Sequence, residues 1–447
     1  MKLPSFLGLI FLTLTIAAAE TRPPNIIVFL CDDVGWGEFG FQGNKQIPTP
    51  HIDSIAKNGI RFTQGYVSGP YCSPTRAGLL TGRYQTRFGH EFNEGGVSNT
   101  NIVFGLPLTE RTLADRLKAA DYDTLAIGKW HLGNSAQHLP MKRGFDEFYG
   151  TVANTAFYKP RAFVDSRKSP LAHPIDDADF YTTDAYSARA VDWIQNRKTR
   201  PFLLYFPFNA QHAPLQAPEK YLNRFKDIAD EKRRTFAAMM SAMDDAVGAV
   251  LTAVREAKLE EHTLIWFLSD NGGPTASTTS QNGPLRGFKA TTLEGGVRVP
   301  FCMQWKGRLP AGKTFIHPII QIDILPTSLA AAGIKIDASW KLDGVNLLPH
   351  LTGENPAPPH DALYWRFGPQ WAIRKGDWKL VAARPDIANV RLFNLAEDIG
   401  EAKDLAATNT DKAKELKTAW DKWNSEQAKP LWVPSAAGTP KGKAKKK

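Results

Sequence analysis

Five short runs of apolar residues punctuate the chain: NIIVFLC (Asn25–Cys31), TLAIGKW (Thr124–Trp130), PFLLYFPFN (Pro201–Asn209), HTLIWFLSD (His262–Asp270) and PFCMQW (Pro300–Trp305). Each is continuous rather than alternating, the pattern of strands covered on both faces. Between them the period becomes helical. LTERTLADRLKAAD (Leu108–Asp121) sets Leu113, Leu117 and Ala120 on one face, with Thr109 or Thr112 available as a cap. Arg233–Leu259 carries Phe236, Met240, Met243, Val247 and Leu251 in one stripe, which reads as core packing rather than a site. Strands alternating with helices predict an α/β fold, a large mixed but mostly parallel sheet flanked by helices. Near residue 335 the character changes. ALYWRFG, WAIRKGDWKLV and RLFNLAED read as short strands in a meander, turned at Lys375-Gly376-Asp377, and the helical TDKAKELKTAWDKWNSEQA follows. Residues 20–336 are therefore expected to form the main domain, and 337–429 a smaller C-terminal α+β subdomain carrying an antiparallel sheet.

The ends add a compartment. Met1-Lys2, a short apolar run and the small residues before Glu20 read as a secretory signal peptide, residues 1–19, cleaved near Ala19. The mature chain is expected to be exported, to a periplasm or beyond the cell. The run is too short for a membrane span, and no other stretch reads as one. Three cysteines, Cys31, Cys72 and Cys302, are too few and too scattered for a disulfide scaffold. Half of the formal net charge of +10 comes from five lysines among the last seven residues. Residues 430–447 read as a disordered basic tail, either solubilising or a contact for polyanions. The remaining positive balance favours an anionic substrate, and nothing points to nucleic acid.

Polar clusters follow the apolar runs, where open α/β sheets bind ligands. In CDDVGWGEFG, Asp32 and Asp33 end the first run; adjacent carboxylates repel unless a cation lies between them, although an Asp turn or cap is the common alternative. In LSDNGG, Asp270 and Asn271 end another run. Together the four residues make an all-oxygen set suited to a hard divalent cation such as Ca²⁺. GKWHLG places Lys129 and His131 two apart on one side of an extended segment, a cation beside an imidazole. His212 lies in the loop FNAQHAPLQAP and Lys289 in LRGFKATTLEGGVRVP. Cys72, in GPYCSPTRAGLLTGRY, reads from its surroundings alone as a free thiol, a metal ligand, a nucleophile or a target of modification.

These clusters, in this order, resemble the formylglycine-dependent sulfatases of the alkaline-phosphatase superfamily. The resemblance runs from PNIIVFLCDDVGWGEFG through TPHIDSIAKNGIRFTQGYVSGPYCSPTRAGLLTGRY, TLADRLKAADYDTLAIGKWHLG, RGFDEFYG, SDNGG and LRGFKATTLEGGVRVPF to LFNLAEDIGEAKDLA. It implies that Cys72 is oxidised to formylglycine (3-oxoalanine) by a formylglycine-generating enzyme, with Pro74 and Arg76 completing the recognition motif. It implies one Ca²⁺ held by Asp32, Asp33, Asp270 and Asn271 and touching the modified Cys72. Arg76 and Lys129 would orient that side chain, His131 would take a proton from its second hydroxyl, and His212 and Lys289 would contact the sulfate. A geminal diol suits this chemistry, because after one hydroxyl has displaced the alcohol the other can expel sulfate by carbon–oxygen cleavage. RYQTRFGHEFNEGG and RGFDEFYGTVANTAFYKPRAF are similar to carbohydrate sulfatases of the N-acetylgalactosamine-6-sulfatase and carrageenan-sulfatase kind. They point to a sulfated carbohydrate substrate, with His90, Asn134, Arg143 and Trp365 or Arg366 as candidate sugar contacts. The alternatives are a phosphodiesterase or phosphonate monoester hydrolase of the same superfamily, and a catalytically silent binder of polyanions.

Overall fold

The computed structural model describes residues 22–95, 97–98, 103–196 and 199–434. The expected signal peptide and residues 435–447 of the expected tail lie outside the described residues. Ten strands form one sheet: β1 (Asn25–Cys31), β2 (Ile60–Phe62), β3 (Asp123–Lys129), β4 (Glu147–Thr151), β5 (Phe163–Asp165), β6 (Ser169–His173), β7 (Phe202–Pro207), β8 (Thr263–Ser269), β9 (Phe301–Trp305) and β10 (Lys313–Phe315). Their order is β10-β2-β9-β8-β1-β7-β3-β4-β5-β6. The five central strands, β8 to β4, run parallel, while β9 joins β8 antiparallel and β5 and β6 turn back at the other edge. All five expected strands exist, and the sheet is mixed but parallel at its centre.

The helices cover both faces: α1 (Pro50–Lys57), α2 (Cys72–Thr81), α3 (Leu113–Lys118), α4 (Thr182–Gln195), α5 (Glu231–Glu256) and α6 (Thr410–Ser425). Strand β1 explains its own continuous hydrophobicity. Ile27, Phe29 and Cys31 feed the core built with Trp193 of α4 and Phe236, Met240, Met243 and Val247 of α5. Ile26, Val28 and Leu30 feed the opposite core, with Leu79 and Leu80 of α2 and Leu113 and Leu117 of α3. With both faces buried, each large apolar side chain contributes about 1.5–3 kcal/mol by leaving water. Helix α3 starts at Thr112, whose side chain and that of Asp115 cap each other's backbone N–H groups. Helix α5 is long and apolar enough to cross a membrane by length and composition, which corrects the reading that no further stretch is; 78% of its apolar window is buried inside the protein. It is a core helix.

The C-terminal part is a four-stranded antiparallel meander, β11 (Ala362–Phe367), β12 (Gln370–Lys375), β13 (Trp378–Ala383) and β14 (Asp386–Asn394), packed against α6 through Trp365, Leu380, Leu416 and Trp420. Residues 430–434, read from composition as the start of the tail, have described structure. Trp432–Val433 pairs antiparallel with Val97–Ser98, and Trp432 is 1% exposed.

Candidate active site

The parallel strands β8, β1, β7 and β3 are neighbours, so their carboxyl ends open at one place. Asp32 and Asp33 follow β1, Asp270 and Asn271 follow β8, Lys129 ends β3 with His131 two residues on, and His212 lies beyond β7. Gly128 lets β3 approach β7 this closely, since a Cβ there would sit 1.8 Å from the Pro207 carbonyl oxygen. Cys72 enters from the side as the first residue of α2. That helix is invisible to periodicity because all ten of its residues are buried. Its sequence signals are Pro74 in the first turn and Gly82 just past the end, with φ 66°. The N-terminus of α2, and with it the positive end of the helix dipole, therefore lies at the site.

Three carboxylates and three cations interlock around the thiol. Arg76, fully buried, donates to Asp270 Oδ2 at 2.8 Å, to Asp32 Oδ2 at 3.1 Å and to the Lys129 carbonyl at 2.6 Å. Lys129 Nζ lies 2.5 Å from Asp32 Oδ2. Lys289 Nζ lies 2.6 Å from Asp33 Oδ1 and 3.4 Å from Cys72 Sγ, which in turn is 3.4 Å from Asp32 Oδ1. His212 Nε2 is 3.7 Å from Asp33 Oδ2, and its Nδ1 pairs with the Ala213 carbonyl. Burial alone would raise the pKa of Asp32, but Lys129 and Arg76 more than reverse this and hold it well below the usual carboxylate range. Burial, then the charges of Asp270 and Asp32, push the Cys72 thiol well up. Burial, then Lys129 and Arg76, press His131 well below its ordinary value, leaving a neutral imidazole that can accept a proton.

The donors fit a hard divalent cation. The ligand atoms of Asp32, Asp33, Cys72 and Asp270 all lie within 4.8 Å of one another. Asn271 donates its amide to Asp33 Oδ1 at 2.8 Å, while its Oδ1 is buried and accepts no hydrogen bond. A buried acceptor without a partner is costly unless something takes its lone pairs, and a calcium-like ion takes oxygens of both kinds.

Sequence reasoning missed the scaffolding behind these residues. Ser73 Oγ donates to the His131 carbonyl at 2.7 Å and lies 2.6 Å from His90 Nε2. This steadies His131, a non-glycine residue held at φ 59°. His90 is fully buried with its ring edge-on to Trp432 at 4.8 Å, and so is no sugar contact. Three more candidates are corrected similarly. Arg143 is 3% exposed and donates to the carbonyls of Leu106, Pro107 and Glu110. Trp365 is wholly buried, and Arg366 pairs with Glu91 at 2.8 Å. Asn134 alone among the five is exposed. The cavity at the mouth, about 390 Å³, is lined by Asp33, His212 and Lys289 together with Tyr71, Phe288 and Pro274.

Comparison with known proteins finds relatives over most of the chain. Residues 24–334 match the sulfatase family, and residues 288–427 match the C-terminal region of N-sulphoglucosamine sulphohydrolase. The chain is 33% identical over 384 residues to N-acetylgalactosamine-6-sulfatase of Canis lupus familiaris, covering 81% of this chain and 72% of the relative. It is 33% identical to arylsulfatase G of Rattus norvegicus over 87% of this chain and 84% of the relative. Among solved structures, Ps i-CgsB in complex with k-i-k-neocarrahexaose superposes with a TM-score of 0.84 at 34% identity, covering 93% of this chain and 96% of that one.

Proposed function

The chain belongs to the sulfatase family, enzymes that hydrolyse sulfate esters, and from that premise we propose that it is an exported sulfatase acting on a sulfated carbohydrate, with Cys72 converted to formylglycine and one Ca²⁺ held by Asp32, Asp33, Asp270 and Asn271. The observation that carries this reading is the buried Cys72 at the N-terminus of α2, enclosed by three carboxylates and three cations. The modified, hydrated side chain would supply a hydroxyl nucleophile, and the cation would acidify that hydroxyl and neutralise ester oxygens.

The residues of the chain divide the remaining work. Arg76 and Lys129 are fully enclosed, and each holds Asp32, so they fix the carboxylates and residue 72 rather than reach the substrate. Lys289, with its side chain 11% exposed, and His212, at 23%, face the cavity. Both are suited to grip the sulfate oxygens, and His212 is suited to hand a proton to the departing alcohol oxygen. His131 would take the proton released at residue 72. The three carboxylates and three cations cancel, so a bound divalent ion would leave the site positive, as an anionic ester requires.

The carbohydrate reading is supported by the relatives, which include an N-acetylgalactosamine-6-sulfatase and a structure bound to neocarrahexaose. The leading test is mass spectrometry of the tryptic peptide Phe62–Arg76 from protein made in its native host, where the mass of an aldehyde in place of the thiol is expected. An unmodified Cys72 in active enzyme would sink the mechanism. Rates on 4-nitrophenyl sulfate are expected to exceed those on an aryl phosphodiester, with chelator abolishing activity and Ca²⁺ restoring it. N-acetylgalactosamine 6-sulfate and neocarrahexaose are the first sugars to try.

A further inference from the structure

We propose that Phe288 is the platform on which the sulfated sugar ring stacks, making it a specificity-determining residue that the catalytic chemistry does not use. This rests on the carbohydrate reading above. The cavity lining mixes two kinds of side chain: Asp33, His212 and Lys289 bring charge and proton-transfer groups, and Tyr71, Phe288 and Pro274 bring apolar surface. A volume of about 390 Å³ is near the small end of ligand sites, room for one ring and its ester. A sulfated pyranose combines the same two characters, an anionic group and a face of C–H bonds that is apolar and flat enough to lie on an aromatic ring.

Phe288 is placed for this and Tyr71 is not. Seven large apolar residues stand exposed among the described residues, and of these Phe288, 54% exposed, is the one that lines this cavity. Tyr71 has its ring against Phe367 at 5.6 Å, and Lys289 Nζ lies 5.0 Å from its centre, so its surface is already engaged. The backbone under Phe288 is pinned. Its N–H donates to Thr291 Oγ1 at 3.2 Å, and that hydroxyl donates back to the Phe288 carbonyl at 2.7 Å. Two residues on, the Ala290 N–H donates to the Pro70 carbonyl at 2.9 Å, and the Ala290 carbonyl accepts from Gln370 Nε2, also at 2.9 Å. Lys289 between them is fixed on Asp33. A ring held out on a fixed backbone next to the sulfate-facing lysine sets one distance between the ester and the sugar face, and a fixed distance is how a site selects a substrate.

The test uses the full-length, modified enzyme and three measurements: kcat and KM on N-acetylgalactosamine 6-sulfate and on neocarrahexaose, and the Ki of inorganic sulfate. In Phe288→Ala, KM for the sugar that the wild type cleaves is expected to rise roughly tenfold, with Ki for sulfate unmoved. Phe288→Tyr, which keeps the ring, is expected to restore KM. An unchanged KM in Phe288→Ala overturns the proposal. So does a Ki for sulfate that climbs in step with KM, because the side chain would then be shaping the Lys289 loop instead of meeting the sugar. If the wild type hydrolyses 4-nitrophenyl sulfate but neither sugar, the carbohydrate reading falls and takes the platform with it. That outcome is recognisable before any variant is made.

Discussion

At the scale of single residues, the cations of the proposed site differ in how far they are enclosed. Arg76 and Lys129 are wholly enclosed and saturated by carboxylates, whereas Lys289 keeps a face on the cavity. Lys289→Met is therefore expected to weaken inhibition by free sulfate roughly 10- to 100-fold, the worth of one charge-assisted contact. Cys72→Ser keeps a hydroxyl but removes the second one on the same carbon. Its turnover of 4-nitrophenyl sulfate is expected to fall by a factor on the order of a thousand or more, measured at saturating substrate. The polar residues at the strand ends, Asp32, Asp33, Lys129, Asp270 and Asn271, are legible in the sequence because a charge directly after an apolar run has few structural reasons to be there. His90, Arg143 and Arg366 mislead for the converse reason. A polar side chain in a loop says nothing of whether its partner is a substrate or a buried carbonyl, and here the partners are Ser73, backbone oxygens and Glu91.

At the scale of elements, the C-terminal meander frames the loop that carries Lys289. Gln370 of β12 holds Ala290. Lys379 of β13 lies 2.8 Å from Glu294 and 3.0 Å from Glu401, all three side chains fully buried, and Glu401 also accepts from the Glu294 N–H at 2.7 Å. Lys379→Met takes the cation from Glu401 and leaves Glu294 to Arg298 and Tyr66, and is expected to destabilise the protein by about 3–5 kcal/mol, read as a lowered melting temperature. A second tie crosses the same junction. His360 Nε2 lies 2.9 Å from both oxygens of Asp323, which also accept from the N–H groups of Ile320 and Val345. Burial pulls the imidazole pKa down, but the Asp323 carboxylate outweighs it and leaves His360 above its ordinary value. A raised native pKa means stability that is complete below the unfolded value of about 6.5 and is lost as pH rises through the native one. Melting temperatures measured upward from about pH 6 should fall more in the wild type than in His360→Gln. Equal slopes would remove this tie from the account. None of these ties is visible in sequence, since each joins positions tens of residues apart or more through side chains that periodicity treats as ordinary polar residues. The direction of β9 is hidden likewise: PFCMQW reads as a buried strand, and only its partner decides that it runs antiparallel.

At the scale of the whole molecule, the two-sided core was the most legible feature, because a run such as NIIVFLC must bury alternate residues in opposite directions and so requires helices on both faces. Helix α2 was the least legible, having no exposed face to give it a period. The C-terminal strand was equally hidden, two residues in a stretch whose composition reads as tail. Trp432 meets the His90 ring edge-on and donates to the carbonyls of Phe92 and Asn93 at 3.2 and 2.9 Å, and Asn93 accepts from the Ser73 N–H at 3.0 Å. Removing that indole, as in Trp432→Ala, is expected to cost about 3–5 kcal/mol and to depress kcat by loosening the turn that bears His131. The distance along the chain from Cys72 to Trp432 has a consequence in time. A chain made from its N-terminus presents residue 72 long before residue 432 exists, so the packing behind Ser73 and His90 is completed well after Cys72 has appeared. Any modifying enzyme that must reach Cys72 is thereby given the interval of synthesis between the two in which to act.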